Sequence, residues 1–274
     1  MRLRWFVILG LIAAGILVSV AVRDRTPMRS EFCQAQVGAV RAQVDLEQAQ
    51  WATLMAAIAQ QRGLPPRATT IAIATAFQES KLRNIDFGDR DSLGLFQQRP
   101  SQGWGTAEQV LDPYHSIGAF YDGLVKVKDY ETLQITDAAQ RVQRSAFPRA
   151  YAQHEEGARA LASALRGYSP AAFTCQINPG NVRSIQRAAD DVLAAFGDID
   201  VQVLGDDASY RLTGPSADIE ARGWGVAHYL VGHAADLGIS RVTFDDRTWT
   251  AGDSDDGWQP SPTRRDDTVI FSTN

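Results

Sequence analysis

The stretch from Arg67 to Leu82 constrains this chain most. Its interior residues Ile71, Ala72, Ile73, Ala74, Ala76 and Phe77 leave almost no polar face, and a helix that is apolar nearly all round is stable only when other elements surround it. The neighbouring sequence must therefore wrap this helix, whose last turn delivers Gln78-Glu79-Ser80. Ahead of it, Leu46, Ala49, Ala52, Leu54, Met55, Ala57 and Ile58 recur at three- and four-residue spacing, which predicts an amphipathic helix over Leu46–Leu64 that Pro65-Pro66 ends. Helical patterns follow at Tyr114–Val127, Thr136–Ser145 and Pro148–Leu165, and no clear strand alternation precedes Cys175, so the first half reads as all-α. Between Asn84 and Gly105 the turn-forming residues Gly88, Gly94, Gly103, Asp86, Asp89, Asp91 and Ser92 predict an irregular loop long enough to line a cleft.

The N-terminus sets the compartment. Arg2 and Arg4 precede an unbroken apolar run from Trp5 to Val22, and Arg23-Asp24-Arg25 closes it. Such a run just spans the ~30 Å of a bilayer's hydrocarbon. The reading is a membrane anchor over residues 1–25, with a cleaved signal peptide and then a buried helix as alternatives, and the first two export the remainder because the cations hold the N-terminus in the cytoplasm. Cys33 and Cys175 are the only cysteines and bracket the first exported half. Paired in an oxidising space they would close a loop of about 140 residues, a constraint of ~4–5 kcal/mol on chain-entropy grounds; two unrelated buried thiols are the alternative.

Charge divides the chain. Residues 1–175 carry 19 basic and 16 acidic side chains, and 176–274 carry 8 and 16. No basic run suggests a nucleic-acid surface, and nucleic acid is not an expected partner. Asn178-Pro179-Gly180 marks the expected boundary, giving an exported helical domain over 26–177 and an accessory domain over 178–274. In the latter a helix over Val182–Phe196, the alternation Ile199, Val201, Val203, a helix over Trp224–Leu237 and β-rich stretches at Ser240–Thr250 and Thr268–Thr273 read as α+β. Because no proposed chemistry lies beyond the boundary, the first domain is expected to act alone.

Glu79 is the candidate catalytic group. A carboxylate in the last turn of a helix faces the negative end of the helix dipole, and apolar neighbours raise its pKa further. Such a group can hold a proton near neutral pH and give it up to a glycosidic oxygen. Position alone favours the plainer reading, a solvated glutamate paired with Lys81 or Arg83.

Gln78-Glu79-Ser80, then Gly94-Leu95-Phe96-Gln97, then Ala150-Tyr151-Ala152 resemble, in order and approximate spacing, the signatures of the soluble lytic transglycosylases. The resemblance covers about residues 45–167, most closely the actinobacterial type with its Asp91-Ser92-Leu93-Gly94-Leu95-Phe96-Gln97-Gln98-Arg99-Pro100 loop. It implies a lysozyme-like fold for the first half and cleavage of the β-1,4 bond between muramic acid and glucosamine in peptidoglycan. It further implies Glu79 as acid and then base, Ser80 orienting the carboxyl or the substrate, Gln97 on the sugar or the catalytic loop, and the Tyr151 hydroxyl holding Glu79 from the last helix. The muramic 6-hydroxyl would then close an anhydro ring, so that no second carboxylate is required. Phe96 stands where Met is usual, and Gln153 where Gly is frequent. A hydrolytic lysozyme using Asp86, Asp89 or Asp91 to activate water remains open, as does a scaffold that binds wall without turnover. Trp104 fits either stacking on a sugar or closing the cleft.

The segment Trp224–Ala235 running into Gly238-Ile239-Ser240-Arg241-Val242 resembles a module distantly similar to zinc-dependent cell-wall carboxypeptidases. His228 and His233 are five apart and so do not share a helix face, and Asp266-Asp267-Thr268-Val269-Ile270-Phe271 holds no histidine. The two histidines therefore read as packing or surface residues; no metal and no cofactor is expected. Asp245, Asp246, Asp253, Asp255 and Asp256 read as a solvated hairpin tip, with a calcium site as the alternative. Contact with wall peptide or an envelope protein is the expected use of this half.

Overall fold

The computed structural model describes residues 30–144, 150–178, 180, 183–197 and 200–273. The run Trp5–Val22 lies outside them, and among the described residues no helix is long and apolar enough to cross a membrane.

The chain opens with a hairpin, β1 (Phe32–Val37) and β2 (Val40–Val44), turning at Gly38 with φ 58°. Helix α1 (Leu46–Gln61) starts at Asp45, whose carboxylate accepts the Gln48 backbone N–H while the Gln48 side chain accepts that of Asp45. This reciprocal cap satisfies two donors that a helix start otherwise leaves unpaired. Pro66 occupies the first position of α2 (Pro66–Ser80), where its missing N–H costs nothing, and Lys81 ends the helix in the left-handed conformation. Residues 68–76 of α2 are all buried, as a helix with no polar face requires. Four further helices complete this half: α3 (Ala107–Leu111), α4 (Pro113–Leu124), α5 (Ile135–Gln143) and α6 (Glu155–Leu165).

The first half is not all-α. Strand β3 (Phe173–Gln176) pairs antiparallel with β1, giving a three-stranded sheet in the order β2-β1-β3 against which α6 packs. In its register Cys33 faces Cys175, and the two form a disulfide with both residues fully buried.

The second half contains α7 (Ile185–Phe196), β4 (Val201–Leu204), β5 (Asp207–Arg211), α8 (Ser216–Gly232), α9 (Ala234–Leu237), β6 (Arg241–Thr250) and β7 (Gln259–Ser272). Its antiparallel sheet runs β4-β5-β7-β6. Helix and strand types match the α+β expectation, although α8 begins well before Trp224 and β7 well before Thr268.

Residues 31–274 form one compact unit, and the boundary expected at 178 coincides with no gap in packing. Helix α8 lies along α1: Gly232 meets the short Thr53 side chain so closely that a Cβ there would force a shift, and Gly225 meets the end of the Gln60 side chain. The indole N–H groups of Trp249 and Trp258 donate to the carbonyls of Cys175 and Phe173, at 3.2 and 2.8 Å. Gly167, at φ 74°, is pressed against the Ala221 backbone. The first half alone leaves open the face of α1 that α7 and α8 cover, so the second half completes the core rather than standing apart from it.

Candidate active site

Glu79 sits in the last turn of α2, half-buried, and the Tyr151 hydroxyl donates to its Oε1 at 2.6 Å. Tyr151 is fully buried, but it lies in a turn just ahead of the 3-10 segment Ala152–His154 and not in α6 itself. Desolvation raises the pKa of the Glu79 carboxyl, while hydrogen bonds from Tyr151 and Gln143 pull it the other way. Neither sequence candidate for an ion pair with Glu79 fills that role. Arg83 is held by Asp45 and Glu47, and Lys81 caps α2, its carbonyl accepting from Gln48. Among the described residues no ion pair neutralises the Glu79 carboxyl, and protonation removes the charge that burial penalises.

Ser80 does not orient the carboxyl. Its hydroxyl is buried and donates to Leu95 O at 2.8 Å and Ala76 O at 3.1 Å, while accepting from the Arg83 backbone N–H. It clamps the Gly94-Leu95-Phe96-Gln97 loop to the end of α2. Gln97 serves the same loop: its amide reaches Phe87 O and Gly94 O, each at 3.3 Å. Gly94, at φ 74°, leaves no room for a Cβ because Val110 O would lie 2.7 Å from it. Phe96 is buried and stacks on Phe120 with ring centroids 4.3 Å apart. Gln153 donates to the Gln78 side chain at 3.0 Å, which ties the segment carrying Tyr151 to the residue before Glu79.

Gln143 was invisible in the sequence. It ends α5, donates to Phe96 O at 2.6 Å and reaches the Glu79 carboxyl with the same amide, joining loop, helix and acid. No spacing rule singles out a glutamine that far along the chain.

The loop aspartates divide. Asp91 accepts from Arg99 Nε at 2.7 Å and from the Ser101 backbone N–H at 2.8 Å, and these bonds hold its carboxyl well below the usual range. It braces the loop. Asp86 and Asp89 are exposed. Trp104 is half-buried against Gly123 and lines a cavity of about 650 Å³ that also reaches Gln143.

In the second half His228 is fully buried, its Nδ1 within 2.8 Å of Ala164 O, and its ring lies among Trp224, Trp258 and Phe173. Burial lowers its pKa to about 4. His233 is also buried, stacked on Tyr229 with centroids 4.1 Å apart. Both are packing residues. Among the described residues no group of three or more His, Cys, Asp or Glu is arranged to hold a metal; Asp245 instead pairs with Arg264 and Asp246 with Arg247.

Residues 199–269 match a family model described as VldE, C-terminal domain. The match takes in β4 to most of β7 and none of the residues around Glu79. A comparison with curated proteins finds none that matches the chain.

Proposed function

We propose that the chain is an exported peptidoglycan-cleaving enzyme, a lytic transglycosylase acting on the β-1,4 bond between muramic acid and glucosamine. The observation that carries this reading is a partly desolvated carboxyl at a helix end, held by a tyrosine hydroxyl at 2.6 Å and, among the described residues, lacking a cationic partner. Protonated Glu79 gives its proton to the glycosidic oxygen as the C1–O bond breaks, and the glucosamine leaves as an alcohol. The resulting carboxylate, steadied by the Tyr151 hydroxyl, takes the proton of the muramic 6-hydroxyl as that oxygen attacks C1 and closes the anhydro ring. One carboxyl thus serves as acid and base in turn, and Asp91, engaged with Arg99 and Ser101, supplies no second.

In the same proposal residues 1–25 tether the chain to the cytoplasmic membrane, the substrate is the glycan strand outside it, and the acidic half offers contact to wall peptide or an envelope protein. The buried Cys33–Cys175 disulfide supports an oxidising compartment. The VldE match supports the reading only loosely, since it lies in the half of the chain without Glu79. Mass spectrometry of fragments released from purified wall tests the proposal. Anhydro-muramic ends are expected; reducing ends would make the enzyme a lysozyme, and no release would make the chain a binder.

A further inference from the structure

Resting on that reading and extending it, we infer that the cavity beside Glu79 is a subsite for the carboxylates of the peptide stem carried by the muramic residue. Its volume of about 650 Å³ is more than a sugar ring alone needs, and Lys126, Arg141 and Arg144 all line it together with Trp104 and Gln143. No carboxylate is among the described residues of its wall. None of the three cations forms an ion pair among the described residues, and Asp122, the acid nearest in sequence to this wall, is taken by Arg62. All three are exposed side chains of one sign lining one concavity, a field that favours an anionic ligand.

The placement fixes which part of the substrate the anion belongs to. Gln143 belongs both to the cavity wall and to the hydrogen bonds of Glu79, which puts the cavity one side chain away from the proposed acid. Trp104 supplies an apolar part of the same wall, where its ring lies against Gly123. A lactyl-peptide stem on the sugar whose C1 is attacked has this combination: an apolar attachment and carboxylates a few bonds further out. Amidation of those carboxyls removes the charge and leaves the shape, so the subsite distinguishes free-acid stems from amidated ones.

Calorimetric titration of the wild-type protein tests this with a glucosamine–muramic disaccharide carrying the peptide stem, a compound that lacks the bond to be cut. The free-acid form is expected to bind at least fivefold more tightly than the amidated form at low salt, and the ratio to shrink at high salt. In the triple variant Lys126→Gln, Arg141→Gln, Arg144→Gln, with its fold checked by circular dichroism, the ratio is expected to fall to near one. Equal affinities in the wild type, no measurable binding of either form, or a ratio preserved in the variant each overturn the subsite. Because the readout is binding, charge-dependent affinity without any glycan cleavage would retain the subsite and remove the transglycosylase reading, and cleavage with equal affinities would do the reverse.

Discussion

Under the proposed function, the Glu79–Tyr151 contact sets how activity is expected to respond to pH. In the proposed mechanism Glu79 must be protonated to act as acid, and burial raises its pKa from the ordinary value, so kcat/KM is expected to fall as pH rises through it. The tyrosine hydroxyl bonds the charged form and pulls the pKa down; in Tyr151→Phe the basic limb of the pH profile is therefore expected to move upward. Loss of a hydrogen bond to a charged group, typically ~1.5–3 kcal/mol, implies a drop in kcat of about ten- to a hundredfold. A profile that does not move would place Tyr151 outside the reaction. His228 makes a second pH statement. Its folded pKa of about 4 lies below the ordinary 6.5, so its contribution is fully present above pH 6.5 and is lost as pH falls toward 4, ~3 kcal/mol in all. The imidazole is expected to stay neutral at pH 5 by NMR, and titration near 6.5 would contradict its burial.

At the scale of elements, the disulfide staples the first and last strands of the three-stranded sheet across 142 residues of sequence. Replacing both cysteines by serine is expected to cost ~3–5 kcal/mol in denaturant unfolding, allowing for the buried hydroxyls. A loss under 1 kcal/mol would show that the sheet holds without it. The helices of this half were legible because Ile, Leu, Met and Ala recur at helical spacing and because Asp45, Pro65 and Pro66 punctuate them. The sheet was not. In β1 the buried residues are Cys33 and Ala35 and in β2 Ala42 and Val44, too small and too few to stand out from the glutamines between them, and the partner β3 lies some 140 residues away. Glu79, Tyr151 and the loop at Gly94 were legible through short motifs. Gln143 and the clamping role of Ser80 were not, because both depend on which backbone carbonyls tertiary packing brings near.

For the whole molecule, the charge asymmetry between the halves suggested two separable modules, yet packing joins them. Thr53 of α1 meets Gly232 of α8 too closely for a Cβ, Gln60 reaches Gly225, and two tryptophans from the second half cap carbonyls of β3. A chain truncated after residue 177 is therefore expected to lose its cooperative thermal transition by circular dichroism. A fragment that melts sharply and retains turnover would restore the two-module arrangement. The claim on which the account turns is that one carboxyl, at Glu79, performs the chemistry inside this shared core. Glu79→Gln keeps the shape, accepts the same tyrosine bond and removes a buried acid, so it is expected to raise stability at neutral pH by about 1 kcal/mol while abolishing chemistry. The direct measurement follows anhydro-muramic ends released from purified glycan strands by wild type and Glu79→Gln, side by side and at equal folded concentration. The account predicts steady release by the first and none by the second; release by a folded Glu79→Gln protein at more than a small fraction of the wild-type rate would contradict it.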